Sequence, residues 1–217
     1  FNVRKKLVKL VREEIKNAKK GREAFIHLKL NNLTDPKMIK LLYEACDAGV
    51  KIKLNVRGMF SLLPNEPERS DNIEAMAIVD KYLEHSRIMV FCNGGAPKYF
   101  LSSADWMPRN LDGRVEVGVP IYDTSLQAEL RAFLDLQWKD NVKARILDQN
   151  LENRHRRTSS SEPVRAQVAF RDVLQEKHGP KKGAPEGSHP AKREVTSDKR
   201  PVTLPFDPKK RLGQPSP

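Results

Sequence analysis

Cysteine is scarce in this 217-residue chain, which holds only Cys46 and Cys92, far apart and without CxxC spacing. That disfavours a disulfide framework and a zinc knuckle, and suits a reducing compartment in which both thiols act as small buried apolar groups. Long apolar runs are missing too. Nothing approaches the ~18 uninterrupted apolar residues of a membrane-spanning helix, and residues 1–10 lack an apolar core followed by a small-residue cleavage site. A soluble chain is expected. There is no initiator Met, which suggests a beginning inside a longer protein, and no internal repeat is visible.

Positive charge is abundant. Lys and Arg total 40 against 28 Asp and Glu, a net +12 that should attract polyanions through long-range fields. Composition does not choose among nucleic acid, acidic lipid, nucleotide and polyphosphate. Eight of the 12 excess charges fall from Arg154 onward, and eight of the 15 prolines fall from His178 onward, beside Gly, Lys and Ser with almost no aromatics. Such a segment cannot bury a core, so residues 178–217 are expected to be a disordered basic tail, solubilising or anion-tethering.

Ahead of it, the pattern is that of one α/β domain. Val3, Leu7, Leu10, Val11 and Ile15 recur at helical steps, with Gly21 placed to close the helix. Phe25–Leu30 reads as a strand. Asp35 and Pro36 then offer an N-cap and N1 proline for a helix carrying Ile39, Leu42, Tyr43 and Cys46 and ending at Gly49, before a strand at Val50–Val56. That order predicts a parallel right-handed βαβ unit. A loop over Met59–Glu68 follows. Asp71 and Glu74 suggest a capping box for a helix bearing Ile73, Ala77, Ile78 and Tyr82. Strands are expected at Ile88–Cys92, Lys98–Ser102 (after the Asn93-Gly94-Gly95 turn) and Arg114–Val119. Further helices are expected after Asp123, carrying Leu126, Leu130, Phe133 and Leu134, and at Arg165–Lys177.

The chemistry-bearing residues concentrate in two stretches. Residues 82–88, Tyr-Leu-Glu-His-Ser-Arg-Ile, put His85 at a predicted helix-to-strand junction two residues before Arg87. An imidazole that titrates near neutrality beside a guanidinium that forks onto phosphate oxygens suits phosphoryl chemistry. Taken alone, H-x-R is a weak signal, and a lone histidine ahead of a strand is commonly structural. Downstream, Ser102, Ser103 and Asp105 close a strand, followed by Arg109, Arg114 and Glu116, a set able to orient a histidine. Trp106, Trp138 and His27 suit packing roles. His155, His178 and His189 lie in polar surroundings that suggest no metal site.

Two patterns carry a resemblance. The phospholipase D superfamily has H-x-K, then G-S-x-N and a glutamate eleven residues further; His85-x-Arg87, Ser102-Ser103-x-Asp105 and Glu116 resemble it, with Arg for Lys, Ser for Gly and Asp for Asn. Those departures, with LKLNNL (Leu28–Leu33), NVRG (Asn55–Gly58), YLEHSRI (Tyr82–Ile88), LSSADWMPRNLD (Leu101–Asp112) and RVEV (Arg114–Val117), resemble one branch, the polyphosphate kinase family, over residues 1–177.

The resemblance implies a phospholipase-D-like α/β sandwich at residues 1–177, with a mixed, largely parallel sheet flanked by helices. It implies a cytoplasmic enzyme, or one peripheral at a membrane, that reversibly moves the terminal phosphate of ATP onto inorganic polyphosphate. Transfer would run through a phosphohistidine upstream of this fragment. Mg²⁺ ligands would lie outside the fragment as well. The partners implied are ATP or ADP, polyphosphate, the rest of the same protein and a second copy of it, with no specific nucleic acid. By position Arg57 matches the family's ATP-contacting arginine and His85 its second active-site histidine. Arg87 would add positive potential or pair with Glu84 or Glu116. Ser102, Ser103 and Asp105 would bond phosphate or cap a turn, and Arg114 would support the cluster. Glu116 would accept the second N–H of His85 or sit exposed on its strand. The fragment alone is expected to be inactive. The alternatives are a phospholipase-D-like phosphodiesterase and a non-catalytic polyanion-binding module.

Overall fold

A computed structural model describes residues 3–64, 71–150, 152–157 and 162–179. Seven strands form one sheet in the order β6-β5-β4-β1-β2-β3-β7. They are β1 (Phe25–Leu30), β2 (Lys51–Val56), β3 (Ile73–Ile78), β4 (Ile88–Phe91), β5 (Lys98–Ser102), β6 (Gly118–Ile121) and β7 (Ala144–Ile146). The helices are α1 (Val3–Lys19), α2 (Pro36–Asp47), α3 (Pro108–Asp112), α4 (Thr124–Lys139) and α5 (Ala166–His178).

The period-two alternation of the strands explains the layers. Ile26, Leu28 and Leu30 of β1, with Ile52, Leu54 and Val56 of β2, pack against Leu7 and Val11 of α1 and Met38 and Leu42 of α2. On the opposite face Phe25, Ile88, Val90 and Tyr99 meet Leu130, Phe133 and Leu134 of α4. Two devices place the helices. Asp35 caps α2 by accepting from Met38 N at 2.9 Å, with Pro36 in the first turn as expected. Arg4 of α1 forks onto the same Asp35 at 2.6 and 2.7 Å and onto Asp112 of α3 at 2.6 Å, tying three helices together.

The mixed α/β sheet is as expected, and its parallel part is confined to β1-β2-β3. The other pairings, β1-β4, β4-β5, β5-β6 and β3-β7, are antiparallel, so the sheet is not largely parallel. Two element expectations change. Residues 71–82 form no helix: IEAMAI is buried on both faces as β3, beside β2, because a short doubly apolar run fits a central strand as well as a helix face. The link from β3 to β4 is thus the irregular segment 79–87. The strand expected at Arg114–Val119 begins only at Gly118 and continues through Pro120 to Ile121. Val115 is fully exposed, with nothing to bury an alternating face there. Pro120 is accommodated because β6 is an edge strand needing one partner. Short β7 and α3 were not foreseen. The loop expectation over 59–68 falls partly, and the tail expectation over 178–217 almost wholly, outside the described residues.

Candidate functional site

One end of the sheet gathers the carboxyl ends of β1, β2 and β5 and the amino ends of β4 and β6, as their register requires. In open α/β sheets, ligands bind at the carboxyl ends of the parallel strands. Asn31 and Asn32 follow β1, Arg57 and Gly58 follow β2, residues 84–87 precede β4, and residues 103–106 follow β5.

These turns are locked to one another. Gly58 N donates to the Asn31 carbonyl at 2.8 Å and Met59 N to Asn32 Oδ1 at 2.9 Å. A Cβ on Gly58 would lie 2.6 Å from Asn32 Oδ1 and 2.7 Å from the Asn31 oxygen, so the approach of the two turns requires glycine. Asp105, only 3 % exposed, accepts from Asn31 N at 2.9 Å and Asn32 Nδ2 at 2.8 Å. Arg87 completes its shell from Nε at 3.1 Å. Burial pushes the Asp105 carboxyl up, but the bonds from Arg87, Asn32 and Asn31 outweigh it and hold the group below the usual carboxylate range.

Arg57 Nε donates to Asn31 Oδ1 at 2.6 Å and to the Glu84 carbonyl oxygen at 2.8 Å. The latter bond sets Arg57 against the backbone of the residue before His85. Arg57 Nη1 and Nη2 make no hydrogen bond among the described residues, nor does the His85 imidazole, which is exposed. His85 borders an open cleft of about 320 Å³ with Tyr82, Leu83, Phe133, Gln137, Gln167 and Phe170. Arg57 does not line that cleft; its bond to the Glu84 carbonyl places it at the same sheet end, against the backbone one residue before His85.

The remaining site candidates are occupied differently. Arg87 pairs with Asp105, not with Glu84 or Glu116, and its Nη1 reaches the His85 carbonyl at 3.4 Å. Glu116 accepts from Ser103 Oγ and, at 2.6 Å, from Asn110 Nδ2, rather than from His85. Ser103 Oγ also accepts from Val117 N at 3.0 Å, and Ser102 Oγ from Ala104 N at 3.0 Å, which is turn-building work. Arg114 is exposed without a hydrogen bond among the described residues.

Sequence reasoning missed Lys29 and its partners. Lys29 is 1 % exposed inside β1, 3.0 Å from Glu84, whose carboxylate also accepts from Gln137 and Gln167, each at 2.8 Å. Burial lowers the affinity of the Lys29 amine for its proton and Glu84 opposes that shift. The signal was present: a lysine between Leu28 and Leu30 in a strand whose other residues, His27 apart, are apolar. No group of three His, Cys, Asp or Glu side chains could hold a metal among the described residues, and the acids at this sheet end already accept from neighbouring donors.

Comparison with known proteins identifies the family. Residues 1–167 match the family model "Polyphosphate kinase C-terminal domain 2". Polyphosphate kinase of Escherichia coli K12 is 47 % identical over 173 residues, covering 80 % of this chain and 25 % of that protein. The Vibrio cholerae enzyme is 46 % identical over the same shares. The crystal structure of polyphosphate kinase from Porphyromonas gingivalis superposes with a TM-score of 0.79 at 44 % identity, covering 82 % of this chain and 27 % of that one. The chain spans about a quarter of the length of the curated relatives it matches. With 47 % identity to one relative and the domain match over residues 1–167, the chain belongs to the polyphosphate kinase family, as its C-terminal domain.

Proposed function

We propose that this chain forms one wall of the site at which a polyphosphate kinase reversibly transfers the terminal phosphate of ATP to inorganic polyphosphate. In the forward half-reaction the bond between the terminal phosphorus and the bridging oxygen of ADP breaks. A bond from that phosphorus to a histidine nitrogen elsewhere in the enzyme forms. Arg57 Nη1 and Nη2 grip the phosphate oxygens and offset charge that builds up on them. His85 gives a proton to the departing ADP oxygen and takes it back in reverse. Arg87 contributes positive potential while it places the backbone of His85. Magnesium would be held by groups outside this chain. No helix among the described residues is long and apolar enough to cross a membrane.

One observation carries the reading: Arg57 is bonded to the backbone beside His85, while the terminal nitrogens of one and the ring of the other have no partner among the described residues. The test uses the intact enzyme. Arg57→Ala should lower kcat/KM for ATP about 10²- to 10³-fold and His85→Ala about 10²- to 10⁴-fold. Activity within about threefold of wild type in either variant would overturn the assignment. The chain by itself should convert no ATP to polyphosphate, and measurable synthesis by the purified fragment would overturn the one-wall reading.

A further inference from the structure

The loop that presents His85 is held by an unusual set of groups. Its successive carbonyl oxygens face different cations: Glu84 faces Arg57 Nε at 2.8 Å, His85 faces Arg87 Nη1 at 3.4 Å and Ser86 faces Lys29 Nζ at 3.5 Å. The Glu84 side chain turns inward to meet Lys29 and two glutamine amides, and Gln137 in turn accepts from Asn55 Nδ2 at 2.8 Å. From α5, Gln167 holds Tyr82 through both its N–H, at 3.0 Å, and its carbonyl, at 2.9 Å. Apart from the Asn55–Gln137 bond, every one of these contacts falls on the segment around His85, and none on its imidazole.

Stability is a poor explanation for the pair at the centre. Lys29 is among the largest fully buried side chains, between two leucines, and an apolar residue there would avoid desolvating an ammonium. Buried ion pairs are often no better for stability than apolar replacements of similar volume. What the pair does accomplish is geometric. Lys29 touches the loop twice, through the Glu84 side chain and the Ser86 carbonyl, bracketing His85.

We propose that Lys29 and Glu84 are positioning residues for His85: a buried ion pair that fixes the loop so that the unbonded imidazole meets the transferring phosphate. This rests on the reading of His85 given above. A displacement of about 1 Å at a reacting group can cost 10²-fold in rate, and that is the scale expected here.

The test compares Lys29→Met, the double variant Lys29→Met/Glu84→Gln and His85→Ala in the intact enzyme. Lys29→Met should lower kcat about 100-fold with KM for ATP within about threefold. The double variant removes both charges and leaves at position 84 one amide oxygen, which can accept from either Gln137 or Gln167 but not from both. It should recover most of the melting temperature lost in Lys29→Met while kcat stays at least about tenfold down. A purely structural pair would recover kcat together with melting temperature, and that result overturns the proposal. Should Lys29→Met fail to fold, the double variant decides alone. If His85→Ala keeps its kcat, the reading of His85 falls and this inference with it. If His85→Ala is inactive while the double variant keeps kcat within about twofold, only the positioning role falls.

Discussion

Two clusters at the same end of the sheet use similar residues to opposite ends. Around Ser103, Asn110 and Glu116, both carboxylate oxygens accept bonds and the Ser103 hydroxyl donates and accepts. That cluster builds the turn between β5 and β6. Around Arg57 and His85 the backbone and one guanidinium nitrogen are held firmly, while the Nη atoms and the imidazole stay unbonded among the described residues. The resemblance assigned Arg57 and His85 directly and left Ser103 and Glu116 between a supporting role and a structural one. Geometry separates them, because a group whose hydrogen-bonding capacity is satisfied must first break bonds before it can hold a ligand.

Each of the following changes would break or sharpen that contrast. Removing a partner from the firmly held network should be most damaging: Asp105→Ala leaves Arg87, Asn31 N and Asn32 without an acceptor in a buried setting and should cost about 3 kcal/mol, read from denaturant midpoints. Gly58→Ala should cost about 2 kcal/mol through the collision with the Asn31–Asn32 turn, and should lower ATP affinity with it, because the shift would pass to Arg57. Ser103→Ala should cost about 1 kcal/mol yet change kcat less than about threefold; a hundredfold loss would mean that this cluster belongs with Arg57 and His85 after all. A pH scan tests the face of the sheet under α4. Burial, with Arg131 and Lys53 nearby, lowers the His27 pKa from 6.5 to about 4. The unfolded chain therefore binds this proton first, so stability should fall as pH drops from about 6.5 to about 4, by about 1 kcal/mol after allowance for screening, and His27→Gln should flatten the slope. Smallest of all, deleting residues 180–217 should leave ATP affinity unchanged within about twofold, measured by titration calorimetry.

Much of this was legible in the letters. The unit from Phe25 to Val56 could be read from its punctuation, since Asp35, Pro36 and Gly49 mark helix ends whatever surrounds them. Arg57 was singled out by the resemblance carried in NVRG, with which its place after a strand agrees. The segment Ile73–Ile78 reads as helix or strand because its small and apolar residues satisfy two periodicities, and only the free edge of β2 decides between them. The supports of His85 were hidden for another reason. Lys29, Gln137 and Gln167 come from a strand and two helices widely separated in the chain, and a side chain's partner in such an arrangement leaves no local spacing to detect. Glu116 shows the reverse error: the right separation from Asp105, but a serine and an asparagine reached its carboxylate instead.

The three cations facing successive carbonyl oxygens reach the 84–86 stretch from β1, from the turn after β2 and from Arg87, the residue that follows the stretch. Residues 82–87 are therefore not a portable cassette. Grafted onto an unrelated scaffold, they would arrive without Lys29 and Arg57, and the histidine would lose its aim.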